Sequence, residues 1–307
     1  MIFNPKQTAF ARHETFQLRF GWLTKGFQNL SKDKKAFESD DATITFGVGK
    51  NMVASIKYWM KAAQIIESKS NEPTEIGALI FDEKTGFDPY LEDEGTIWLI
   101  HWLIATNPDM ATSFYWFFNR FHKPEFTAQE LQTALNDFVK ETIVDKKRPA
   151  PATLKNDALI LPRMYTQSKG NTRTSLEDAL DSPLSLLHLM NQTAGGRSYW
   201  SKLEARPGLP IGVVGFAAAQ LLLLRGVNAI PIEDLMYSRD NCPALGSIFR
   251  ITENDLLTKL EQLVNYIPDI FEIRETAGIH QLYKLDEIEP MQYLKTHYKN
   301  DLKGKAA

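Results

Sequence analysis

Cysteine is almost missing from this chain. Cys242 is the single one among 307 residues, so neither an intramolecular disulfide nor a paired-cysteine zinc site can form. No Gly-x-Ser-x-Gly elbow and no dinucleotide fingerprint occurs, and NAD is not expected. Gly47-Val48-Gly49-Lys50 approaches a phosphate-binding loop, but Ile44 stands where a Walker A loop needs its first glycine and Asn51 where it needs Ser or Thr. ATP is not expected either. Long hydrophobic runs are lacking too: Ile97–Ala105 and Ile211–Leu224 fall short of the roughly 20 residues that cross a bilayer, so they read as core helices and no membrane role is expected. Met1-Ile2-Phe3-Asn4-Pro5-Lys6 has no apolar stretch like that of a signal peptide, and the expected location is a reducing cytoplasm. An excess of basic charge is also absent. A net charge of −3 rules out a generally basic coat, so any nucleic-acid surface must be a local patch.

What is present is a globular composition, 43% hydrophobic and 11% aromatic, able to fill one large core or two ordinary ones. Gly, Pro, Ser and charge clusters punctuate the chain near Ser31–Asp41, Ser68–Pro73, Lys146–Pro151, Gln167–Thr174 and Arg206–Pro210. Lys146-Lys147-Arg148-Pro149-Ala150-Pro151-Ala152 reads as a linker, which divides the chain into residues 1–148 and 149–307. In the first part, an aromatic segment from Phe10 to Phe27, extended or helical, leads to an amphipathic helix. Val53, Ile56, Met60 and Ala63 mark its buried face, and Lys50, Ala54, Lys57, Lys61 and Gln64 a basic face without acids. Pro73–Phe81 reads as a short β segment, followed by an acidic loop to Glu94 and a buried helix from Thr96 to Ala105.

Turn, basic helix and strand follow each other as in a winged helix-turn-helix. A second such module is expected at the C-terminus, from the Thr252–Val264 helix and the alternating segments Phe271–Glu275 and Gln281–Leu285 around a turn at Thr276–His280. The expected fold class is therefore mainly α with small β wings (α+β), winged helix-turn-helix modules joined to a helical core. A homodimer is one expected assembly of such modules.

Charge changes sign along the chain. Residues 1–66 hold ten Lys/Arg against five Asp/Glu, and residues 67–110 hold two against ten. On the basic helix, Lys50, Asn51, Ser55, Lys57, Tyr58 and Lys61 are candidate contacts to double-stranded DNA, because each neutralised phosphate releases counterions. The other reading is a solvated face. In the acidic loop, Asp88 and Glu92 within Gly86-Phe87-Asp88-Pro89-Tyr90-Leu91-Glu92-Asp93 are candidate oxygen ligands for Mg²⁺ or Mn²⁺, which activates water for phosphodiester cleavage. Asp93 or Glu94 can instead cap the following helix. Arg12-His13-Glu14 offers a phosphate-binding guanidinium, a general base and a further metal ligand, or else a set of structural hydrogen bonds. His101 reads as a core histidine and Cys242 as inert.

Phe10–Phe16, Phe46–Val53 with Ile56-Lys57-Tyr58-Trp59, and Phe87–Asp93 with Thr96–His101 together resemble the bacterial family catalogued as domain of unknown function four thousand and seven. Weaker likeness continues at Asp181–Leu184 and Gly246–Ile251. That resemblance implies a part in DNA phosphorothioation, in which sulfur replaces a non-bridging backbone oxygen as an anti-phage mark. It implies a DNA nickase working beside a cysteine desulfurase, an ATPase and an ATP-pyrophosphatase-like enzyme. Nicking would open the backbone to sulfur insertion. The resemblance assigns no catalytic residue. Arg12, His13, Glu14, Asp88 and Glu92 are candidates on chemistry alone, with Glu14, Asp88 and Glu92 as the metal set. A non-catalytic winged-helix reader or scaffold that recruits the sulfur-transfer enzymes is the alternative.

Overall fold

The computed structural model describes residues 1–167 and 182–305. Of the punctuated stretch Gln167–Thr174, residues 168–174 lie outside the described residues, as does Asp181. The protein is mainly α-helical with two small three-stranded sheets, an α+β architecture of winged-helix type. Two compact units divide it. One gathers Met1–Ile2, Phe118–His122 and Leu203 onward; the other holds the described residues of Phe3–Phe117 and Lys123–Lys202. No helix among the described residues is long and apolar enough to cross a membrane.

The N-terminal helices are α1 (Trp22–Lys32), α2 (Ala42–Phe46), α3 (Lys50–Ala62), α4 (Glu75–Phe81) and α5 (Glu94–Ala105). Every residue of α5 from Gly95 to Ala105 is buried, as its all-round apolar sequence requires. Helix α4 corrects the strand expected at Pro73–Phe81. Only Pro73 bridges to another segment, Ile66. Beyond it the Thr74 hydroxyl accepts the Gly77 N–H at 3.0 Å, Glu75 lies in the first turn, and Gly77, Ile80 and Phe81 are buried at helical spacing. A cap and an i, i+3, i+4 apolar set outweigh the β-propensity of a short run.

The first winged topology lies further along than the sequence suggests. Helix α6 (Thr112–Arg120) is followed by β1 (Glu125–Thr127), α7 (Ala128–Thr142), α8 (Pro151–Tyr165), β2 (Asn191–Gln192) and β3 (Ser198–Trp200). The sheet is antiparallel in the order β1-β3-β2, with Phe126 opposite Tyr199. Trp116 of α6 packs on Phe138 of α7 at 5.9 Å, and Phe117 meets Phe126 edge-on at 5.6 Å. A capping box starts α7. The Thr127 hydroxyl accepts the Glu130 N–H while the Glu130 carboxylate accepts the Thr127 N–H, so two donors at the helix start are satisfied reciprocally. Lys146–Ala150 lies in the turn between α7 and α8, and Pro151 opens α8 at the position where its missing N–H costs nothing.

The second module repeats the order. Helix α9 (Ile211–Arg225), β4 (Ala229–Pro231), α10 (Ile232–Met236), α11 (Leu245–Phe249), α12 (Glu253–Tyr266), β5 (Phe271–Thr276) and β6 (Ile279–Lys284) precede a closing helix, α13 (Pro290–Lys305). Its sheet runs β4-β6-β5, again with the last strand in the middle. The hairpin turn is tighter than the expected five residues. Ala277 and Gly278 both adopt positive φ, 53° and 79°, which matches the twist of the flanking strands. Helix α9 packs against α12 and α13 at close range because Gly215 has no Cβ; one placed there would lie 2.4 Å from the Tyr293 ring and 2.6 Å from Leu263.

Candidate functional site

The Arg12-His13-Glu14 motif sits in a tight loop with Ala11, Glu14 and Thr15 at positive φ. Its middle residue points inward. His13 is fully buried, and its Nδ1 accepts the Thr15 backbone N–H at 3.1 Å. Nδ1 therefore carries no proton, and Nε2–H donates to Asp157 Oδ1 at 2.7 Å. The same Asp157 oxygen accepts the Ala11 N–H at 2.9 Å. The His13 ring stacks on Trp59, with centroids 6.2 Å apart, and the His13 carbonyl accepts from the buried Ser55 hydroxyl at 3.0 Å. Asp157 comes from α8, Ser55 and Trp59 from α3. The motif is thus a clasp that ties the loop to two helices, and both nitrogens of its imidazole are engaged.

Arg12 and Glu14 stay exposed on either side of the clasp. They line a cleft of about 350 Å³ together with Lys147, Pro149 and Thr153, at the start of α8. The chain places this N-terminal loop against the turn that the sequence reads as a linker.

The proposed DNA contacts on α3 divide. Lys50 and Asn51 are exposed, whereas Ser55 and Tyr58 are buried. Burial, and secondarily the Asp157 carboxylate, hold the Tyr58 phenol well above its usual range. Lys57 Nζ lies 3.4 Å from Glu38 Oε1 and over the Phe37 ring at 5.9 Å. The acid absent from α3 is supplied by the segment before it. Lys61 Nζ donates to the Ser68 carbonyl at 2.7 Å, and its pKa is lowered by desolvation and by Lys57, partly offset by Glu38. Lys50, Ala54, Lys57 and Glu38 share a second cleft of about 460 Å³.

The acidic loop is largely spent on its own backbone. The buried Asp88 carboxylate accepts the N–H groups of Glu92 and Asp93 at 2.8 and 3.1 Å. Asp93 caps α5 through the Gly95 N–H at 2.7 Å, and Asp82 accepts the N–H groups of Lys84 and Thr85. Glu92 is exposed. Among the described residues no three His, Cys, Asp or Glu side chains converge as a metal-ligand set, so Glu14, Asp88 and Glu92 do not form one. His101 is a core residue, its Nδ1 2.9 Å from the Tyr165 hydroxyl.

Residues 10–298 match the family described as protein of unknown function, DUF4007. The chain belongs to that family. The DUF4007 match takes in the clasp, the acidic loop and both winged topologies. Two solved structures resemble this one closely. An SspB crystal structure is 29% identical, covers 95% of this chain and 88% of its own, and superposes with a TM-score of 0.81. A magnesium ion-bound SspB crystal structure is 28% identical, covers 96% and 90%, and gives a TM-score of 0.82. No curated protein matches the sequence.

Sequence reasoning missed Asp157 and the β2–β3 hairpin. Two signals bear on them: the proline that opens α8, the helix carrying Asp157, and the Gly195-Gly196 turn. A lone carboxylate inside the apolar pattern of α8 was the mark of a buried partner.

Proposed function

We propose that this protein is a DNA reader and scaffold of a bacterial phosphorothioation system. It holds duplex DNA for the enzymes that exchange a backbone oxygen for sulfur and does not cut the backbone itself. The observation that carries this reading is the clasp. The imidazole best suited to act as a base for hydrolysis has both nitrogens committed to the protein, to Thr15 N–H and Asp157. An imidazole that serves as a general base must have a free nitrogen within reach of the proton it takes. Asp88 is buried, and each of its carboxylate oxygens already holds a backbone N–H just before α5. Two winged-helix topologies remain, and that architecture grips duplexes. Family membership and the likeness to SspB support the association with phosphorothioation. The cysteine desulfurase, the ATPase and the ATP-pyrophosphatase-like enzyme are the partners this role requires.

A metal-dependent nickase is the second reading, favoured by the magnesium ion in a solved relative. The described residues fit it poorly. Exposed Glu14 and Glu92 each offer a carboxylate, and neither is joined by two further ligands.

Fluorescence anisotropy with a labelled duplex across a salt series tests the reader. Binding whose log affinity falls linearly with log salt is expected. Absence of binding at low salt, alone and with the partner enzymes, would sink the proposal.

A further inference from the structure

We infer that the duplex is held by the outward face of α8 and the β2–β3 hairpin, and not by α3. This rests on the DNA-reading function proposed above and names its surface. In a winged helix the third helix, followed by the two wing strands, meets the DNA. Here that helix is α8, reached after α6, β1 and α7, with β2 and β3 as the wing.

The side chains agree with the topology. Lys155, Leu159 and Arg163 are exposed at steps of four, so they share one face of α8. The one acid of α8, Asp157, is buried in the clasp and adds no repulsion to that face. Eight residues of helix rise about 12 Å, close to the width of the major groove. Lys155 and Arg163 can therefore meet the two backbones that border one groove. Exposed Arg197 follows the Gly195-Gly196 turn at the tip of the wing, where Gln192 Nε2 donates to the Gly196 carbonyl at 3.0 Å and closes the hairpin. Among the described residues Lys155, Arg163 and Arg197 have no carboxylate within ion-pair range.

Neither other candidate helix offers as much. On α3, Lys57 is engaged with Glu38 and Lys61 with a backbone carbonyl. On α12, which occupies the third-helix place in the second module, the exposed ionised residues are Glu253 and Glu261, while Lys259 is buried and donates to the Leu209 carbonyl at 2.9 Å. That face repels phosphate.

The test measures binding of the full chain to a short labelled duplex across a salt series, for wild type, Lys155→Ala/Arg163→Ala, Arg197→Ala and Lys50→Ala/Lys57→Ala. Urea unfolding checks that each variant retains the fold, as substitutions at exposed Lys50, Lys155, Arg163 and Arg197 should. For the α8 double variant the slope of log affinity against log salt becomes shallower by about two, and affinity falls by about tenfold or more. Arg197→Ala costs about one in slope, and the α3 variant stays near wild type. Lys155→Arg/Arg163→Lys, which keeps both charges, restores binding. A wild-type slope in the α8 variant, with the loss appearing in the α3 variant, overturns this inference and leaves the DNA-reading function standing. A wild-type chain that binds no duplex overturns both.

Discussion

His13 Nε2 lies 2.7 Å from Asp157 Oδ1, with both side chains buried. This bond joins a loop near the N-terminus to α8, the third helix of a winged module. Asp157→Ala strips the acceptor from His13 and from the Ala11 N–H at once. A loss of about 2–4 kcal/mol is expected, from broken bonds to a charged group and buried donors left without partners. Asp157→Asn keeps one acceptor oxygen and should cost less, about 1–3 kcal/mol. Urea unfolding of the three proteins checks both values, and a loss below the smaller range for Asp157→Ala would show the clasp to be incidental.

Asp88 provides a parallel case. Because its carboxylate holds the N–H groups of Glu92 and Asp93 just before α5, Asp88→Ala should destabilise the protein by about 1–3 kcal/mol. DNA affinity measured below the unfolding transition should not change. A variant of wild-type stability would contradict the structural role.

The pH dependence of α7 follows from its capping box. The hydrogen bond from Lys123, then those from the Thr127 backbone and hydroxyl, lower the Glu130 pKa from 4.5 to about 2. A folded-state pKa below the unfolded one stabilises the fold above the unfolded value. That contribution declines as pH falls from about 4.5 through about 2. Chemical denaturation across this window should show a steeper acid loss in wild type than in Glu130→Gln. Parallel curves would mean that the box does not persist in solution.

Close packing in the second module depends on Gly215. A Cβ there meets Tyr293 and Leu263 at under 3 Å, so Gly215→Ala should cost about 1–3 kcal/mol through forced displacement of α13 or α12. Thermal unfolding measures this, and an unchanged midpoint would show that the helices have room to part.

The sequence conveyed those elements whose periodicity is long or whose turn chemistry is strong. The apolar stretch of α5, the amphipathic α3 and the C-terminal helix and hairpin were legible, and Asp93 takes the capping place left open to it. The first winged module was not. Its strands are two or three residues long, too short for a period to show, and its wing is separated from β1 by some sixty residues of chain. The basic stripe of α3 was legible too, but its partners were not, since Glu38 and the Ser68 carbonyl reach it only after folding. Arg12, His13 and Glu14 illustrate the same limit: three adjacent residues promise a shared site, and the chain sends the middle one inward and leaves its neighbours in water.

The most direct test of a reader that does not cut is supercoiled plasmid incubated with the protein, with and without Mg²⁺ or Mn²⁺, beside a Glu14→Ala control and with duplex binding measured in the same buffers. The account expects salt-sensitive binding and no conversion to the relaxed form in either metal. Metal-dependent relaxation by the wild type that disappears in Glu14→Ala would contradict it and establish the nickase.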